Sequence, residues 1–178
     1  MKMLGLLRHA KSDWDDATRP DFQRGLNDRG RRGAALMGAH LAQYGCKWDS
    51  MLASPAERVK QTIAEMDDAP FPNDIAWDRR LYLATPESLA DCARAVEGDP
   101  ATLLLAGHNP GLHDLLFDLV QPNDQDPLLA EAEEKFPTAS FAVIELPIDD
   151  WSQLSNGEGR LVHLARPRDL DPELGPER

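Results

Sequence analysis

Three times in this 178-residue chain an apolar run of strand length stops at a cationic or imidazole side chain and gives way to a helix start. The first run is Met3-Leu4-Gly5-Leu6-Leu7, ended by Arg8-His9. The second is Met51-Leu52-Ala53, followed by Ser54-Pro55-Ala56-Glu57-Arg58. There Ser54 suits an N-cap, Pro55 suits the first helical position, and Glu57 completes a Ser-x-x-Glu capping box. Val59, Ile63 and Met66 then recur at helical spacing. The third run, Thr102-Leu103-Leu104-Leu105-Ala106, meets Gly107-His108-Asn109-Pro110-Gly111 and a helix carrying Leu112, Leu115, Leu116 and Leu119. Alternating strands and helices pack as a layered α/β/α sandwich. Ligands of open α/β sheets sit outside the carboxyl ends of the strands, where the three junctions would present Arg8, His9, Arg58 and His108.

Two guanidiniums, two imidazoles and helix N-termini are the parts of a phosphate pocket with a nucleophile inside it. Arginine holds phosphate oxygens with a planar, permanently charged fork, and helix N-termini attract anions through free N–H groups. Fixed cations stabilise the charge spread over equatorial oxygens during phosphoryl transfer. A neutral histidine attacks phosphorus and forms a phosphohistidine that water later cleaves. The competing assignments are two structural histidines satisfied by packing, or a metal site completed by an aspartate such as Asp13. Two nearby guanidiniums oppose a metal cation. His40, His113 and His163 lack this context and are assigned to surface or packing.

The chain resembles the histidine phosphatase superfamily, the phosphoglycerate-mutase-like group. The resemblance rests on Arg8-His9, on Ser54-Pro55-Ala56-Glu57-Arg58-Val59-Lys60-Gln61-Thr62 and on Gly107-His108. It is strongest to the small SixA-type phosphohistidine phosphatases, through Leu6-Leu7-Arg8-His9-Ala10-Lys11-Ser12, the Asp21–Gly30 segment, Gly107-His108-Asn109-Pro110-Gly111 and Phe136-Pro137-Thr138-Ala139. It runs in order to about Arg168. The resemblance implies a three-layer sandwich around a mixed, mostly parallel central sheet. It implies that His9 is the phosphorylated nucleophile, that Arg8, Arg58 and His108 bind the phosphoryl group, and that Ser12 and Asn27 add hydrogen-bond donors. No cofactor and no metal is implied.

Length is consistent with a single domain, residues 1–168, followed by a Pro- and charge-rich surface tail, residues 169–178. No apolar run approaches the ~20 residues of a membrane span, and the N-terminus lacks a signal-peptide layout, so a cytoplasmic location is expected. Cys46 and Cys92 lack metal spacing and read as free thiols. A net charge of −12 argues against nucleic-acid binding, which depends on Lys/Arg footprints, and requires the cations of an anion site to be concentrated locally. Arg29, Arg31 and Arg32 read as a solvated helix start, or else as groups that dock an acidic partner. Trp14, Trp48, Trp77 and Trp151 read as core or rim packing.

Between the motifs, helices are expected over residues 29–44, 55–66, 86–96 and 110–120. Strands are expected over 48–53, 75–83, 102–106, 139–146 and 160–165. Residues 121–135 are acidic and read as a loop with one helical turn. Residues 84–88 leave no room for a large lid, and Glu87 is the carboxylate available there as a general acid for an alkoxide leaving group. It equally suits a helix first turn, favoured by the dipole. An open site fits a side chain displayed on another protein, and a phosphoramidate loses imidazole without demanding an enzyme acid. The expected activity is therefore hydrolysis of phosphohistidine on a protein, such as a phosphorelay or phosphotransfer protein, through phospho-His9. The alternatives are a broad-specificity phosphatase for small phosphomonoesters using Glu87, and a noncatalytic phosphate-binding or scaffold domain.

Overall fold

A computed structural model of the protein describes residues 1–175. Its six strands form one sheet: β1 (Lys2–Arg8), β2 (Ser50–Ala53), β3 (Ala76–Trp77), β4 (Thr102–Gly107), β5 (Phe141–Leu146) and β6 (Arg160–Ala165), in the order β3-β2-β4-β1-β5-β6. The β1/β4, β2/β4 and β2/β3 pairs are parallel, while β5 runs antiparallel to β1 and β6 to β5. The expected mixed, mostly parallel sheet is thus present. Among the described residues no helix is long and apolar enough to cross a membrane.

The central strands are apolar throughout because both faces are covered. Leu4, Leu6, Leu103, Leu105, Ala142 and Ile144 face one core, with α3 (Pro86–Arg94), α4 (Gly111–Leu119) and α5 (Pro127–Glu134). Leu7, Leu104, Ala106, Met51, Phe141 and Val143 face the other, with α1 (Asp28–Tyr44) and α2 (Glu57–Ala64). Trp48 and Trp151 are buried, whereas Trp14 and Trp77 are exposed. His40 and His163 meet at 2.8 Å beside Tyr44 and tie α1 to β6, and His113 bonds the Ala132 carbonyl and ties α4 to α5. These three histidines serve packing, as expected.

Three elements differ from the sequence expectation. The strand over residues 75–83 shrinks to Ala76–Trp77 and turns into a 3-10 segment at Arg79–Leu81. Asp78 accepts from the Arg80 amide there and bends the chain out of extension. Residues 121–135 contain the full helix α5, started by Asp126 accepting from the Leu128 amide and by Pro127 at the first position. The expected capping box at Ser54 does not form: α2 starts at Glu57, with Ala56 at the N-cap and no side-chain cap.

Past the last strand, residues 167–174 lie on α1. Pro167 is buried beside Gly33, and Arg32 pairs with Asp171 and Glu173. Residues 176–178, the end of the expected tail, lie outside the described residues.

One glycine fixes where the first motif sits. A Cβ at Gly30 would meet the Lys11 carbonyl oxygen at 2.0 Å, and that carbonyl accepts from the Asn27 amide at 3.1 Å. Helix propensity alone would favour alanine at position 30 by about 1 kcal/mol. The backbone clash opposes it, and Gly30→Ala is expected to lose about 1–3 kcal/mol overall. Urea unfolding of the two proteins measures the difference, and an unchanged or raised midpoint would contradict this packing.

Candidate functional site

Because β2, β4 and β1 are adjacent and parallel, with Ala53 opposite Ala106 and Gly107 opposite Arg8, the three motifs leave the sheet side by side at its carboxyl edge. The junctions carry Arg8 and His9 from β1, Arg58 from the first turn of α2, and His108 from the end of β4. His9, Arg58 and His108 are buried, at 8%, 5% and 3% exposure, and Arg8 is half-buried. The His9 and His108 rings lie 5.2 Å apart between centroids.

His9 is held neutral in one tautomer. Its Nδ1 lies 2.7 Å from the Ala10 carbonyl oxygen. A carbonyl only accepts, so Nδ1 carries the proton and Nε2 holds the lone pair. Burial, reinforced by the charges of Arg8 and Arg58 and opposed by the Ala10 bond and Asp21, pushes its pKa down to about 3. His108 is likewise pushed down to about 3, first by burial, then by His9 and Arg58. Its Nε2 sits 2.8 Å from Ser54 Oγ, and Ser54 Oγ accepts from the Ala56 amide at 3.3 Å. Ser54 is thus drawn to the histidine rather than to the helix cap.

The arginines crowd one another. Burial, then the charge of Arg58, lowers the Arg8 pKa. Arg8 donates to the Phe136 carbonyl at 3.2 Å. Arg58 donates to the Asp21 carbonyl at 2.8 Å and its carboxylate at 3.0 Å, and Tyr82 donates to the same carboxylate at 2.5 Å. Among the described residues, Arg8 Nε and His108 Nδ1 are buried without a partner. An unpartnered guanidinium N–H and an unpartnered imidazole nitrogen beside two repelling guanidiniums make this a place where an anion is stabilised.

The rest of the second motif holds the geometry. Thr62 accepts from the Ala10 amide at 2.9 Å and donates to the Arg58 carbonyl at 2.7 Å, so α2 is bonded directly to the loop carrying His9. Gln61 accepts from the Leu26 amide at 2.7 Å. Asn27, expected as a phosphate donor, has another task. Its Oδ1 accepts from the Gly30 amide at 2.8 Å as the N-cap of α1, and its Nδ2 donates to the Ser12 carbonyl. Ser12 is buried and its backbone bridges Leu26. Glu87 is exposed in the first turn of α3 and is not among the charges that shift His9 or His108. The carboxylate that joins the group is Asp21, which sequence reasoning quoted in a motif without giving it a role. Tyr82 lies unnamed inside the strand expected over residues 75–83. Their signal was only their place in the segments around Phe22 and Leu81, since 37 and 61 residues separate Asp21 from its two partners.

Comparison with known proteins places this arrangement. The family model described as "Histidine phosphatase superfamily (branch 1)" matches residues 4–81. An uncharacterized protein of Mycobacterium tuberculosis is 35% identical over 164 residues, covering 91% of this chain and 100% of that one. The structure of the "putative phosphohistidine phosphatase SixA" of Agrobacterium tumefaciens is similar at 28% identity and a TM-score of 0.76, covering 92% of this chain and 97% of that one. The like-named protein of Nakamurella multipartitia is similar at 25% identity and a TM-score of 0.79, covering 93% and 96%.

The two buried imidazoles give a direct prediction. Both bind a proton less readily folded than unfolded, so between pH ~6.5 and ~3 the unfolded chain takes up more protons, and stability falls as pH drops through that window. Ring Cε1–H signals of His9 and His108 are expected to stay at their neutral positions from pH 8 to about pH 5, where a free histidine has titrated. A midpoint near 6.5 for either would refute the burial argument.

Proposed function

The chain belongs to the histidine phosphatase superfamily, of the SixA type, and on that basis we propose that it hydrolyses phosphohistidine on a protein through a covalent phospho-His9 intermediate. The observation that carries the proposal is the neutral His9, its Nε2 lone pair fixed by the Ala10 carbonyl, set among the buried donors of Arg8, Arg58 and His108.

In the first step the Nε2 lone pair forms a bond to phosphorus while the P–N bond of the substrate breaks, and the substrate imidazole leaves with the electron pair. Arg8 and Arg58 hold the equatorial oxygens, and their mutual repulsion falls as the anion enters between them. His108 donates from its unpartnered Nδ1–H, the tautomer in which Nε2 accepts from Ser54 Oγ. In the second step water attacks phosphorus, the P–Nε2 bond breaks, and the water proton leaves with inorganic phosphate or to solvent. His9 returns to its neutral form.

The substrate reading draws on proton supply. The carboxylate beside the group, Asp21, is held below its usual pKa by the Tyr82 hydroxyl and, against burial, by Arg58, so at neutral pH it carries no proton to give. An alkoxide leaving group needs such a proton. An imidazole leaves as a neutral base when its other nitrogen is protonated, so this site suits a phosphoramidate. Asp21 acts instead as a positioning residue for Arg58. Glu87, exposed in the first turn of α3, is given no part in this proposed reaction.

The test is phosphate release from a phosphohistidine-labelled protein and from a panel of small phosphomonoesters, in EDTA. Release from the phosphohistidine protein, with a trappable phosphoenzyme, is expected. His9→Ala is expected to lose both. Turnover of phosphomonoesters alone would move the substrate to small molecules, and affinity without covalent label would identify a binding domain. Arg58→Ala is expected to lose about 3–4 kcal/mol of transition-state stabilisation, read as kcat/KM. A loss below about tenfold, ~1.4 kcal/mol, would remove Arg58 from the phosphoryl group.

A further inference from the structure

We propose that a cationic hollow adjoining the catalytic pocket is a second anion site, which takes an aspartate or glutamate side chain of the protein that carries the phosphohistidine. The inference rests on the substrate reading above and names the chemistry by which that protein is recognised.

The hollow, about 210 Å³, is bounded by Lys11, Arg29, Lys135 and Arg168, with Gly33 and Thr138 between them, and among the described residues no Asp or Glu lines it. In a chain of net charge −12, four cations around one cavity concentrate positive potential where the remaining surface repels anions. Among the described residues none of the four forms an ion pair. The neighbouring carboxylates form their ion pairs with other arginines, Asp171 with Arg32 and Asp169 with Arg166, and act on Arg29 and Arg168 only at longer range. Arg29 donates to the Gly175 carbonyl, a contact that orients the guanidinium without neutralising it. Of the three basic residues at the start of α1, Arg31 and Arg32 are paired with Glu65, Asp171 and Glu173, and only Arg29 faces the cavity.

The hollow shares part of its wall with a depression that reaches Arg8. Lys11, Lys135 and Thr138 also line the depression that contains Arg8, and Lys11 lies two residues beyond His9. One acid, Glu134, lines that depression and not the hollow. In this proposal a phosphoryl group held at Arg8 has Lys11 and Lys135 next to it, and a residue flanking the phosphohistidine reaches Arg29 and Arg168 beyond them. Complementary charge of this kind selects partners and steers encounter, and it is sensitive to salt.

The experiment uses the whole chain and two phosphohistidine peptides that differ only in flanking residues, aspartates in one and asparagines in the other. The wild-type protein is expected to show a KM about tenfold lower for the aspartate peptide, a preference that shrinks as salt is raised. In Arg29→Gln/Arg168→Gln the preference is expected to vanish through KM rather than kcat. Arg168→Gln alone, which removes no described hydrogen bond, guards against a folding defect in the double variant and is expected to lose part of the preference. Equal KM values in the wild type, or a preference that survives the double substitution, would overturn the proposal. Fluorescence polarisation with the unphosphorylated peptides separates the two readings. If neither phosphopeptide is hydrolysed but the aspartate peptide still binds more tightly and the double variant abolishes this, the second site stands and the phosphohistidine assignment falls.

Discussion

Two guanidiniums and two imidazoles gathered at one edge of a sheet repel protons and one another, and the surrounding structure is arranged to hold them there. Each is restrained from its far side: Arg8 by the Phe136 carbonyl, His9 by the Ala10 carbonyl, Arg58 by Asp21, and His108 by Ser54. Burial keeps both imidazoles neutral, which removes two of the four charges that would otherwise accumulate. The remaining repulsion lies between the arginines, and in the proposed reaction an entering phosphoryl group relieves it. Such a site is preorganised for charge that arrives with the substrate, the condition under which fixed dipoles and cations accelerate a reaction most.

The supporting residues show how little of a catalytic motif is chemistry. Of Arg58, Gln61 and Thr62, only Arg58 belongs to the proposed reaction. Gln61 and Thr62, three and four positions on and so on the same side of the helix, bond Leu26 and Ala10 and clamp α2 against the loop after β1. Gly30 lets the Lys11 backbone touch α1. The pocket is therefore positioned from α1, α2 and the Phe136–Ser140 segment at once, and a shift in any of them moves His9.

Charge is distributed with the same economy. Lys11, Arg29, Lys135 and Arg168 come from four separate parts of the chain and meet around one cavity, while most of the acids lie elsewhere. A protein acidic overall can in this way present a local field attractive to an anionic surface. After Leu83 only Ala84 and Thr85 precede α3, so no long lid follows at that point.

The sequence alone determined the layered architecture and the four central residues. Strand-length apolar runs that end at Arg8, Arg58 and His108 carry their own periodicity, and covalent order ties each functional side chain to the end of its run. It misjudged features decided at a distance. The Ser-x-x-Glu pattern at Ser54 is a valid local cap signal, but His108, 54 residues away, competes for the same hydroxyl. Asn27 is as able to bind phosphate as to cap a helix, and only the approach of Gly30 and Ser12 chose between them. Residues 75–83 have a strand's composition, yet Asp78 bends them, and this brings Tyr82 to Asp21. The partnership of Asp21, Tyr82 and Arg58 and the meeting of four cations from distant segments leave no local pattern. They are consequences of which strands pair in parallel and where the last helices fold back, and tertiary packing alone sets those distances.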